Sequence, residues 1–172
     1  MFELYLLIFL LIIIVSIMID TLKLGISPMP TNKDTAIEIV ELLKRSDDET
    51  IIDLGSGFGN LAIFIASNFP NKKVIAYELS FVPYIISMML KKILKVDNLK
   101  IYRKDFLKED LSNATLVCYL FPKGMEKLED KLFDDCINTT IISSTFAFRH
   151  IKERKIINVD DIYKTPIYYY QT

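Results

Sequence analysis

From Thr31 onward the hydrophobic period of this 172-residue chain switches repeatedly between helix and strand, and that alternation leaves few folds open. "TNKDTAIEIVELLKRS" starts with Thr31 and carries Asp34 three residues on, close to a capping box, with Ile37, Val40 and Leu43 at helical spacing. "TIIDL" then reads as a strand, "NLAIFIASNF" as a helix stopped by Pro70, and "KKVIAYEL" as a second strand. "VPYIISMMLKKILK" is helical, with Pro83 in the first turn where a missing N–H costs nothing. "NLKIYRKD" and "ATLVCYLF" are strands, "MEKLEDKLFDD" a short helix, and "TTIISSTFAF" another strand. "RKIINVDD" and "PIYYYQT" close the chain as two strands joined by "IYKT". Apolar strands separated by helices imply a parallel sheet covered on both faces, and two final strands with no helix between them imply an antiparallel finish. The expected fold is α/β, a doubly wound, mostly parallel sheet of seven strands.

The start of the chain is different. "LYLLIFLLIIIVSIMI", residues 4–19, holds no charge and a single Ser16, and with Met1 and Phe2 it approaches the ~20 residues that cross a bilayer. A signal peptide would open with positive charge and end in small residues, whereas here Glu3 precedes the run and Met18, Ile19 and Asp20 end it. A core helix would be apolar on every side with nothing nearby to cover it. The reading is therefore one retained transmembrane helix over 1–20, a linker over 21–31 and a catalytic domain over 32–172. Lys23 and Lys33 follow the segment and no Lys or Arg precedes it, which places the domain on the cytoplasmic side of a single-pass membrane protein. A short chain without an Arg-rich presequence favours a prokaryotic plasma membrane. In a mitochondrial inner membrane the same rule points to the matrix side.

One junction of the soluble part asks for a ligand. "IIDLGSGFGN", residues 51–60, places Gly55, Gly57 and Gly59 between a predicted strand and a predicted helix. Glycine is costly to order, so this clustering marks backbone that bends sharply and approaches something closely. In open α/β sheets that position lies beyond the carboxyl ends of the strands, where ligands bind. Glu78 ends the next strand, and a carboxylate there can accept from both hydroxyls of a ribose. Two cofactors carry such a ribose, so Glu78 alone does not discriminate. The dinucleotide fingerprint G-x-G-x-x-G fails, because Asn60 stands where its last glycine belongs. The spacing D-x-G-x-G-x-G, Asp53 to Gly59, instead resembles motif I of class I S-adenosylmethionine-dependent methyltransferases.

That resemblance implies a Rossmann-like class I fold with S-adenosyl-L-methionine as cofactor, held by Asp53, Gly55, Ser56, Gly57, Gly59, Glu78 and Leu79. It implies that Asp105 of "KDFLKED" accepts from the adenine amino group and that Phe106 contacts the ring. Nearly the whole chain is also similar to a narrower family. These are the small membrane-anchored protein-lysine methyltransferases that include those acting on the ATP synthase c-subunit and the adenine nucleotide translocase, with their prokaryotic relatives. The similarity runs through "PMPTNKDTAIEIVELL", "VIAYELS", "VCYLFPKGMEKLEDKL" and "IISSTFAF". It implies methylation of a lysine on a membrane-associated protein, with Pro28, Pro30 and Thr31 lying over the cofactor and shaping an acceptor channel. "YLFP" adds Tyr119, Phe121 and Pro122 where class I enzymes contact acceptors, although apolar core is an equal reading for Tyr119 and Phe121. The N-P-P-Y-type signature of amide and adenine methylation is missing there. Methyl transfer is an in-line displacement in which alignment supplies much of the acceleration, so no metal, covalent nucleophile or dedicated base is obligatory.

Composition narrows the rest. Lys plus Arg 21 against Asp plus Glu 22 gives a net charge of −1, so no global field argues for a nucleic-acid partner, and "LKIYRKDFLKED" alternates its cations with acids. Cys118 and Cys136 are far apart with no ligand cluster around them, which supports neither a zinc site nor a disulfide framework and fits a reducing compartment. His150, the one histidine, would act as a base only if it faced the reacting methyl; a loop-end residue is the plainer reading. Two alternatives stay open: methylation of a small or lipid-like acceptor of the quinone or isoprenoid type, and a non-catalytic membrane-tethered module.

Overall fold

The computed structural model describes residues 30–172 together with residues 1, 3–7, 10, 11, 14, 15 and 18. Much of the predicted anchor and nearly all of the linker, Pro28 included, lie outside the described residues. Among the described residues no helix is long and apolar enough to cross a membrane.

The elements run α1 (Lys33–Leu43), β1 (Thr50–Leu54), α2 (Asn60–Asn68), β2 (Lys73–Tyr77), α3 (Phe81–Leu94) and β3 (Leu99–Tyr102). A single 3-10 turn (Phe106–Lys108) follows, then β4 (Thr115–Cys118), α4 (Pro122–Asp134), β5 (Thr140–Ser144), β6 (Lys155–Asn158) and β7 (Pro166–Gln171). The seven strands form one sheet in the order β3-β2-β1-β4-β5-β7-β6. All neighbours from β3 to β5 are parallel, while β7 is antiparallel to both β5 and β6. The chain order thus reverses between β1 and β4, the switch point at which open sheets leave a crevice.

Both faces are covered, for reasons visible in the strand alternation. Ile51 and Val117 point to a layer with Ile39 and Leu43 of α1 and Ile65 of α2. Ile52 and Leu116 point to the other face, where Met125, Leu128 and Leu132 of α4 meet Ile141 and Tyr170. The last strand takes the interior place because it carries Ile167 and Tyr170, both fully buried, whereas β6 is mostly exposed and forms the edge.

The structure moves several boundaries. The cap of α1 is Asn32, whose side chain accepts from the Thr35 amide, rather than Thr31. The strand read as "ATLVCYLF" ends at Cys118, and α4 begins at Pro122, whose fixed φ suits the first helical position. Tyr119, Leu120 and Phe121 are therefore released into a loop. The strand read as "TTIISSTFAF" ends at Ser144, because Thr145 turns out of the sheet at φ 71°.

Candidate active site

Parallel register brings four strand ends level: Leu54 pairs with Tyr77 and with Cys118, and Tyr77 with Tyr102. The residues that follow, Gly55, Glu78 and Tyr119, therefore emerge side by side at the switch point. Gly55 and Ser56 both donate amides to the Tyr77 carbonyl, at 2.9 and 3.0 Å, which folds the chain back at the end of β1. Gly55, Gly57 and Gly59 have φ of 73°, 55° and 79°, the left-handed region that excludes most side chains. Gly55 also needs its missing Cβ, since one would lie 3.0 Å from Leu120 Cδ2.

Glu78 closes the junction. Its Oε2 accepts from the Gly57 amide and its Oε1 from the Ser80 amide, each at 2.7 Å. A carboxylate has about four lone-pair positions, so each oxygen keeps one for an incoming hydroxyl. Asp53, at the end of β1, is 2% exposed. Burial, and next the negative charge of Glu78, push its pKa up to about 7 against the pull of the Ala62 amide. Asp53 Oδ2 and Ser56 Oγ are buried without a hydrogen-bond partner. Both residues stand at a cavity wall, where a ligand or water could complete them.

These groups surround a cavity of about 200 Å³. Pro30, Thr31, Asp53, Gly55, Ser56, Gly57, Glu78, Leu79, Asp105, Phe106, Tyr119 and Phe121 line it, so most of the residues singled out in the sequence meet in one place. Two do not. Gly59 packs its open side on α3, where a Cβ would lie 2.7 Å from Ser87 Cβ, and Pro122 is committed to the first turn of α4. Asp105 uses one carboxylate oxygen to accept from the Leu107 amide at 3.1 Å, which fixes the 3-10 turn carrying Phe106.

The lining also contains Phe58, Asn60, Tyr77, Ser80, Lys104, Leu120, Gly124 and Lys127, which the sequence did not single out. Asn60 could have been found, standing beside the glycine motif; Gly124 and Lys127 arrive from α4 through tertiary packing. Phe146 was missed as well. It stacks on Tyr119 at 6.2 Å between ring centroids and meets Phe121 edge-on at 5.8 Å. Ser143 Oγ, donating to the Phe146 carbonyl at 2.6 Å, holds it in place. His150 does not line the cavity; its amide donates to Glu129 Oε1 at 2.7 Å. Cys118 is buried, with its thiol pushed up to about 12 by desolvation, and acts as a core residue. Among the described residues no cluster of three His, Cys, Asp or Glu side chains is placed to hold a metal.

The family model of the ANTKMT methyltransferase domain matches residues 53–155, from the motif I aspartate to the start of β6. The chain belongs to that family. It is an S-adenosylmethionine-dependent methyltransferase of class I. Among curated relatives, a protein-lysine N-methyltransferase of Saccharolobus islandicus is 29% identical over 138 residues, 77% of this chain and 84% of its own length. Among solved structures, an RNA methyltransferase from Salinibacter ruber in complex with S-adenosyl-L-homocysteine is similar at TM-score 0.72 and 23% identity, over 83% of this chain and 93% of its own. The magnesium protoporphyrin IX methyltransferase of Synechocystis PCC 6803 is similar at TM-score 0.63 and 12% identity, over 80% and 81%. Those two likenesses show the fold alone, since their substrates differ so widely.

Proposed function

We propose that this chain methylates a lysine of a membrane-associated protein, held at the bilayer by the apolar run 4–19 as a single-pass anchor with the domain on the cytoplasmic face. The observation that carries the acceptor class is the similarity along most of both chains to a protein-lysine N-methyltransferase. The anchor rests on a charge-free run too apolar for a solvated leader, in which every described residue is exposed.

S-adenosylmethionine, when bound, supplies a methyl group on a sulfonium leaving group. In this reading Glu78 accepts from the ribose hydroxyls, while its bonds to Gly57 and Ser80 fix the carboxylate before any ligand arrives. Preset acceptors need no reorganisation, which is where alignment gains its effect. Asp53 and Ser56 offer their orphaned oxygens to the amino-acid end of the ligand. Asp105 and Phe106 hold the adenine, Asp105 as acceptor and Phe106 as an apolar wall. Pro30, Thr31, Tyr119 and Phe121 line the part of the cavity left for the acceptor. Apolar walls there disfavour a charged amine, so a lysine entering among Tyr119 and Phe121 has its pKa lowered and presents a lone pair.

The test uses isolated membranes incubated with the full-length enzyme and methyl-labelled S-adenosylmethionine. Label should enter protein, and Lys→Arg substitution in the labelled protein should abolish it. Label confined to the lipid extract would overturn the lysine reading and assign a quinone- or isoprenoid-like acceptor.

A further inference from the structure

Helix α3 faces solvent with the wrong chemistry. It is a 14-residue helix of which only Pro83 and Ser87 are buried. Its outward positions recur every four residues, Phe81, Ile85, Met89 and Ile93, exposed by 50, 40, 59 and 69%, with Met88 beside them. A helix apolar on every side belongs in a core or against lipid, not in water. The contrast within the same molecule is α4, "PKGMEKLEDKLFD", which buries Met125, Leu128 and Leu132 and turns mostly charges outward.

The charges on α3 have one sign. No acidic residue occurs from Phe81 to Val96, while Lys91, Lys92 and Lys95 cluster at its end. At the other end the Arg103 guanidinium lies 5.1 Å from the Phe81 ring. An apolar stripe edged only by cations is the pattern of a helix lying in the plane of a bilayer interface, its lysines reaching up to anionic headgroups. Every described residue of 3–18 is itself exposed. From Asp20 to Asn32 the chain spans at most about 40 Å, so an anchored domain stays within reach of the membrane surface.

We propose that the outer face of α3 lies in the headgroup layer of an anionic bilayer, a second contact that orients the domain. This rests on the membrane-tethered reading above. Leu79 and Ser80, which lead into α3, also line the cavity, so seating the helix brings the lip of the active site to the level of the membrane surface. The acceptors it favours are lysines close to the bilayer rather than at the tip of a large soluble domain.

The chain has no tryptophan, which makes a single introduced one a clean reporter. Full-length Met89→Trp, Leu11→Trp and Phe133→Trp are each reconstituted in anionic vesicles of phosphatidylglycerol and phosphatidylcholine, without bromine and, in separate preparations, with bromine on the upper acyl chain to probe Met89→Trp and Phe133→Trp and near the chain end to probe Leu11→Trp. Phe133 is exposed on α4, on the other face of the sheet. The expected result is a blue-shifted Met89→Trp emission that loses about half its intensity to the brominated lipid, with Phe133→Trp unaffected. Quenching of Leu11→Trp but not of Met89→Trp would overturn the proposal and leave the tether standing. No quenching of Leu11→Trp would overturn the tether itself and this inference with it. A Met89→Trp emission that is blue-shifted yet unquenched would mean that protein, whether the leader, a second copy or a substrate, covers the face, and would overturn the proposal.

Discussion

Glu78 shows how much a single side chain can organise. It is 8% exposed, accepts from two backbone amides across the strand end, and keeps acceptor capacity toward the cavity. Glu78→Ala should weaken S-adenosylhomocysteine binding by roughly 10- to 100-fold, the size of one or two lost hydrogen bonds to a charged group, as read by calorimetric titration. Unchanged affinity in the folded variant would remove Glu78 from the site. Asp53 makes a prediction with a sign. Its folded pKa, about 7, stands above the ordinary carboxylate value of 3.8, so near neutral pH the folded chain holds a proton that the unfolded chain has released. The stability carried by neutral Asp53 is full below about 4 and is lost as pH rises toward 7, a difference of up to about 4 kcal/mol. Urea midpoints of wild type should therefore fall between pH 4 and 7 relative to those of Asp53→Asn. Ligand binding should run the other way: the cationic amino-acid end of S-adenosylmethionine favours ionised Asp53, so affinity should rise with pH through about 7. Both residues could be picked out from their distance to the glycines. The ionisation of Asp53 could not, because it comes from burial and from Glu78, which only the folded sheet brings near.

At the scale of elements, strands and helices were legible wherever the apolar period was long and uninterrupted; β1 falls on the segment "TIIDL". Three of the boundaries that moved are decided by one residue's backbone geometry, Asn32 as cap, Pro122 as first helical residue, Thr145 as exit from β5. Releasing Tyr119 and Phe121 from the predicted strand is what puts them in the cavity wall. Gly59 is the instructive glycine, because its conformation serves packing between α2 and α3. Gly59→Ala meets both a left-handed φ and Ser87, and should cost about 1–3 kcal/mol in urea unfolding. Ligand affinity of the molecules that remain folded should change little. Glu129 has no local sequence signal, yet it is 2% exposed and accepts from the amides of Arg149, His150 and Ile151. Glu129→Ala strands those amides and should lower stability by about 3 kcal/mol in the same assay. A loss below about 0.5 kcal/mol would show that water replaces it.

For the molecule as a whole, the mostly parallel sheet with its antiparallel finish and the meeting of the glycine junction, the ribose carboxylate and Asp105 followed from the alternation of elements, since crossovers on a parallel sheet carry every βα turn to the same edge. The order of the last two strands did not follow, because it depends on which of them buries its side chains, and that is a property of the finished core. Nor did the aromatic contact of Phe146 with Tyr119 and Phe121, which joins the ends of β4 and β5. The exposed stripe of α3 was present in the sequence as ordinary helical hydrophobicity, and only the packed structure shows that its outer half is left uncovered. The measurement that tests the central claim most directly is a crystal structure with S-adenosylhomocysteine. The account predicts both ribose hydroxyls on Glu78, the amino-acid end over Gly55 and Gly57 beside Asp53, and the sulfur turned toward Thr31 and Tyr119. A nucleoside bound with its ribose away from Glu78, or outside the cavity altogether, would contradict it.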